Sequence, residues 1–113
     1  MRAGKVEARK IGRHTDGLPP YGYRQGGSGR LEVDEDQAAV VRSIFSRAKE
    51  GLGPGPIARR LNAERIPGPT GKPWSRQTVG NMIRNPIYSG ELHGVKRAQP
   101  AIVSRRVWNA AQQ

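Results

Sequence analysis

Gln77, Asn81 and Arg84 are spaced four and three residues apart in SRQTVGNMIRNP, residues 75–86. At about 100° per residue, this spacing puts all three on one side of a helix, away from Val79, Met82 and Ile83. Arg76 stands at the border of the apolar stripe, and Gly80 lies beside the polar row. An arginine fork matches guanine O6 and N7, and an Asn or Gln amide matches adenine N6 and N7. Arg76, Gln77, Asn81 and Arg84 are therefore candidates for hydrogen-bond readout of base edges, and Gly80 would let the helix approach a groove wall closely. The same side chains also suit a plain solvated face, so the choice between the two readings rests on charge.

An ordinary solvated helix mixes both signs, yet no carboxylate occurs from Arg65 to Gly90. Net charge is +11, with 20 Lys+Arg against 9 Asp+Glu and a pI near 11.3. The charge is segregated: residues 1–33 carry seven basic and three acidic side chains, residues 34–64 five of each, and residues 65–113 eight basic and one acidic. Such a balance calls for a polyanionic partner, nucleic acid first and an anionic membrane surface second. A carboxylate on a face turned to phosphate would be repelled, which accounts for its absence. Arg59, Arg60, Lys72, Lys96 and Arg97 are the phosphate candidates.

Other chemistries find little support. The chain has no cysteine, which removes disulfides, thiolate catalysis and Cys-based zinc sites. His14 and His93 have no partner at ligand spacing. Asp34, Glu35 and Asp36 suit a helix start better than a metal, and none of the serines sits in a nucleophile elbow. We expect no catalytic residue, metal or cofactor. Trp74, Trp108, Tyr21 and Tyr23 read as packing anchors. No run approaches the roughly 20 apolar residues of a membrane span, and residues 1–15 lack the apolar core of a secretory signal. The expectation is a cytoplasmic, nucleoid-associated protein with no membrane partner.

The elements that must carry these side chains follow from periodicity and punctuation. The 113 residues favour one domain with a small core, since only 35% are apolar against 15 Gly and 9 Pro. Residues 2–10 read as a short exposed helix closed by Gly12, and Arg13–Asp16 as an extended arm. Tyr21–Arg24 and Arg30–Val33 flank QGGSG as a hairpin. Asp34 with Gln37 has the form of a capping box ahead of a helix whose Val41, Ile44, Phe45 and Ala48 share one face. GLGPGP reads as a linker, after which Ile57–Ala63 resume helical spacing. Ser75 caps a second short helix that Pro86 stops near Asn85. Ile87 and Tyr88 tuck onto the core, and a final helix starts at Ser104 and breaks off, as at a fragment boundary. The fold class expected is α+β: a mostly helical small domain with a short β-hairpin and a helix-turn-helix-like pair at 56–64 and 75–85. Residues 1–16 would be the end of a linker helix and an arm, and 17–113 the domain proper.

Together, Tyr21-Gly22-Tyr23, Asp34 to Ala48, Ile57-Ala58-Arg59-Arg60-Leu61-Asn62, Gly71 to Ser75, Arg84 to Gly90 and Pro100 to Val103 carry a resemblance. In order and spacing they are similar to the "recombinase" domain of large serine recombinases, the phage integrases and transposon recombinases. The resemblance covers about residues 17–113. It implies double-stranded DNA binding at half of an attachment site, within a bacterial or phage-encoded enzyme of DNA integration and recombination. It also implies that this piece is non-catalytic. The family's catalytic domain, with its serine nucleophile, precedes this region, and a Cys-bearing zinc ribbon commonly follows. Both are absent here, so a monomer is expected in isolation. By the same resemblance, Arg9, Lys10, Arg13 and His14 would form a minor-groove arm, where a narrow groove favours arginine. The alternative is a stand-alone helix-turn-helix DNA-binding regulator. An RNA-binding protein would want an aromatic platform, and a nuclease a carboxylate cluster.

Overall fold

Tyr23–Gln25 (β1) and Leu31–Val33 (β2) pair antiparallel, with Tyr23 opposite Val33 and Gln25 opposite Leu31. Two strands alone are marginal. This pair turns Tyr23 and Leu31 into the core against the following helix, Glu35–Lys49 (α1). The computed structural model describes residues 19–27, 30–92, 95–96 and 99–112. The arm expected at 1–16, with Arg9, Lys10, Arg13 and His14, lies outside the described residues, as do His93 and Arg97.

Asp34 caps α1 by accepting from the Gln37 amide at 3.2 Å. Glu35 and Asp36 in its first turn and Arg47 and Lys49 in its last match the helix dipole. The second half of the expected capping box is diverted. Gln37 Oε1 accepts from the Gly22 amide at 2.8 Å, and the Asp34 amide donates to the Gly22 carbonyl at 3.0 Å. The side chain therefore ties the helix start to the hairpin rather than to its own N-cap. Ala38, Val41, Ile44 and Phe45 are buried along one face.

The next helix, Pro54–Ala63 (α2), starts inside the segment read as a linker. Pro54 occupies the first turn, where an amide has no helical acceptor anyway and the fixed φ is already helical. Arg76–Arg84 (α3) follows, capped by Ser75 Oγ, which accepts from the Thr78 amide at 3.1 Å. Arg105–Ala110 (α4) is capped by Ser104 in the same way and closes at Ala111. A second small antiparallel pair, Glu91–Leu92 (β3) with Val95–Lys96 (β4), was not expected. Among the described residues the architecture is thus mostly helical α+β, as expected.

The distant motifs meet in one cluster. Tyr23 Oη lies 2.7 Å from the Pro100 carbonyl and 3.1 Å from that of Ile87. Tyr88 Oη donates to the Tyr21 carbonyl at 2.7 Å, and the Tyr88 carbonyl accepts the amides of Ile102 and Val103. Burial pushes the phenols of Tyr23 and Tyr88 well above their ordinary range. Burial, with Asp34 nearby, raises that of Tyr21. A phenol protonated in the fold but ionised in the unfolded chain makes stability fall as pH rises past the unfolded value of about 10. Below that pH the contribution is complete. We expect alkaline unfolding in which tyrosinate absorbance rises together with loss of helical circular dichroism. Tyrosinate formation that precedes the loss of structure would contradict it.

Candidate nucleic-acid interface

α2 and α3 pack directly, Ile57, Ala58 and Leu61 of one against Val79, Met82 and Ile83 of the other within the shared core. Polar contacts hold both ends of α3, from α2 at its start and from the α4 segment at its end. At its start, Asn62 Oδ1 accepts the Trp74 amide and Asn62 Nδ2 donates to the Trp74 carbonyl, both at 2.9 Å. The amide side chain thereby pairs with the backbone as a strand would, holding the residue next to the N-cap. Trp74 is buried, donates its indole N–H to the Ile66 carbonyl at 3.0 Å, and meets Tyr21 edge-on at 5.2 Å. At the other end the last carbonyls of a helix have no internal partner. Gln112 Nε2 donates to the Ile83 carbonyl at 2.8 Å and Trp108 Nε1 to the Asn85 carbonyl at 2.9 Å, so α4 closes α3.

The connection between α2 and α3 is equally specified. The Arg65 amide donates to the Asn62 carbonyl and the Ile66 amide to that of Leu61, with Arg65 at φ 61°. That is a Schellman closure whose left-handed position glycine usually fills. A Cβ on Gly68 would overlap the Lys72 carbonyl, so the turn leading to Lys72 has no room for a side chain there.

α3 presents Gln77, Asn81 and Arg84 exposed on the side opposite the buried Val79, Met82 and Ile83. Arg76 is also exposed but stands apart from that row: its stem runs beside Gly55 of α2, where Arg59 Nη1 also arrives, each 3.7 Å from the position a Cβ on Gly55 would take. Arg60 and Lys72 are exposed, and of Lys96 only the place on β4 is described. Gly80 departs from expectation. It is buried, with the Arg84 guanidinium lying over it, so it accommodates a side chain of its own helix rather than an open approach. Asn81 Oδ1 accepts from Arg84 Nη2 at 2.9 Å.

The ion pairs sort by region. Among the described residues they are Arg24–Glu32, Arg42–Glu35, Arg47–Glu64 and Arg105–Glu91. Arg59, Arg60, Arg65, Lys72, Arg76 and Arg84, all on α2, α3 or the turn between them, have no carboxylate within ion-pair distance among the described residues. Arg65 was missed as a candidate, although it opens the acid-free stretch. Among the described residues no group of three or more His, Cys, Asp and Glu side chains is placed to hold a metal, and no helix is long and apolar enough to cross a membrane.

An α+β domain with a tightly set helix pair and an unneutralised cationic surface on that pair is the class these features define. The family model Recombinase matches residues 35–113, and the chain belongs to that family. Two solved structures share the fold. One, from work on the sequence requirements of the Listeria innocua prophage attP site, is 21% identical at a TM-score of 0.75, covering 99% of this chain and 49% of that one. The other, the crystal structure of an LSR–DNA complex, is 19% identical at 0.72, covering 99% and 36%. The chain thus spans about half of the first and about a third of the second. No curated protein matches it in sequence.

Proposed function

We propose that this chain binds double-stranded DNA at half of an attachment site, as the non-catalytic recombinase domain of a large serine site-specific recombinase. The observation that carries the reading is the run of cations on α2, α3 and their connection that lack carboxylate partners among the described residues, while the carboxylates of Glu32, Glu35, Glu64 and Glu91 pair elsewhere. Uncompensated like charges gathered on one helix pair are unfavourable in the free protein and favourable against phosphate. Family membership supports the same reading, as do the two structures of this fold, one in complex with DNA and one concerned with a prophage attP site.

In this reading α3 enters the major groove with Gln77, Asn81 and Arg84 toward base edges. Arg59, Arg60, Lys72, Lys96 and Arg97 meet phosphates. Residues 1–16 form a unit separate from 17–113, and Arg9, Lys10, Arg13 and His14 follow the minor groove. The role is binding rather than strand cleavage, carried out in the cytoplasm. With about six to eight phosphates neutralised, log K is expected to fall against log salt with a slope of roughly −5 to −7. Fluorescence anisotropy with duplex DNA across a salt series measures it. A flat dependence, or preference for single-stranded RNA over duplex DNA in competition, would sink the reading.

A further inference from the structure

By residue type, Asn81 suits an adenine and Arg84 a guanine. The geometry couples them. Arg84 Nη2 donates to Asn81 Oδ1 at 2.9 Å, and the guanidinium is folded back across the helix. A Cβ on residue 80 would stand 3.3 Å from Nη1 and 3.6 Å from Nη2, so the fork lies flat over Gly80 instead of reaching freely into solvent. Arginine has five N–H donors, of which this bond uses one, so both donors on Nη1 and one on Nη2 remain for guanine O6 and N7. The bond has the opposite consequence for Asn81. Adenine readout needs Oδ1 to accept from N6 while Nδ2 donates to N7. With Oδ1 already engaged and facing the guanidinium, the amide is no longer aimed for that pairing.

We propose that Asn81 is a positioning residue, and that Asn81 and Arg84 together read one guanine, with Gly80 leaving the space in which the guanidinium is held. This rests on the DNA-binding reading above and assigns part of its specificity. Holding a long flexible side chain before binding lowers the conformational entropy lost when it meets a base. Both side chains are exposed, so substitution leaves the core untouched.

The test is a base-substitution panel on the preferred duplex of the full chain, read with Asn81→Ala, Arg84→Ala, the double variant and Asn81→Asp. Arg84→Ala is expected to lose discrimination at one guanine by roughly 5- to 150-fold. Asn81→Ala should lose part of that discrimination at the same base, and the double variant should be no worse than Arg84→Ala alone. Asn81→Asp keeps the acceptor and removes the amide donor. It should retain the guanine preference while overall affinity drops through repulsion from phosphate. Effects at two different bases, multiplying in the double variant, would overturn the coupling while leaving DNA binding intact. Loss of guanine preference in Asn81→Asp would overturn it too. A parent chain without preference for any duplex would overturn sequence-specific binding itself, and this assignment with it.

Discussion

Gly22→Ala is expected to destabilise the domain by about 2–6 kcal/mol, the sum of two independent penalties. The first is conformational. Gly22 has φ +100°, a backbone state that costs a side-chain-bearing residue roughly 1–3 kcal/mol. The second is steric. A Cβ there would stand 2.8 Å from Ile102 Cδ1, 3.1 Å from Val41 Cγ2 and 3.4 Å from Tyr88 Cε1. All three neighbours are buried, and overpacking such a site costs about 1–3 kcal/mol. Backbone relaxation is opposed on both sides, because the Gly22 amide donates to Gln37 and its carbonyl accepts from Asp34. A domain of this size has only about 5–15 kcal/mol in hand, and at about 4–8 °C per kcal/mol the melting temperature should fall by roughly 10 °C or more. Gly51→Ala supplies the control. Gly51 has φ +106° but nothing within 4 Å of its Cβ position, so only the first penalty applies. Equal losses for the two variants, measured by thermal and urea unfolding, would show that packing at Gly22 contributes nothing.

That glycine also illustrates what a single sequence discloses. Tyr-Gly-Tyr was visible as a motif, but the need for glycine comes from Ile102, Val41 and Tyr88, which are brought together only by the fold. Where the controlling interaction is local, the sequence was legible: Asp34 and Ser75 cap the helices they were expected to cap, a helix starts after Ser104 as expected, and Pro86 stops α3. Misreadings arose where one residue type has two physical roles. Pro54, inside the GLGPGP linker, reads as a breaker, yet in a helix's first turn the missing amide costs nothing. Gln37 matched the capping-box spacing and was claimed by Gly22 instead. β3 and β4, at two residues each, are too short to show any alternation. In the candidate site, helical spacing grouped Gln77, Asn81 and Arg84 correctly on one exposed side. Spacing carries no information on rotamers. Neither the bond between Asn81 and Arg84 nor the place of Arg76 beside α2 could be read from it.

The place of Arg76 changes what its removal should do. From its position at the edge of the α3 stripe it was a candidate for a base edge, but its stem lies against Gly55, in the company of Arg59. We propose that this pair, beside a first turn of α2 that has no acidic residue, grips phosphate through its guanidinium donors. Charge-assisted hydrogen bonds contribute about 1.5–3 kcal/mol each, so Arg59→Ala with Arg76→Ala should weaken binding by about 3–6 kcal/mol, on the order of 100-fold or more. The salt slope should become shallower by roughly two, and every duplex should lose affinity by the same factor. The melting temperature should scarcely move. Both side chains are exposed and neither has a carboxylate partner among the described residues, so their loss removes mutual repulsion instead of an ion pair. This combination separates a binding role from a structural one. Arginines that merely supported the fold would lower stability and affinity together, whereas a base reader would lower affinity for some duplexes and spare others. Loss of discrimination at a single base pair on replacing Arg76 alone would return it to the row formed by Gln77, Asn81 and Arg84.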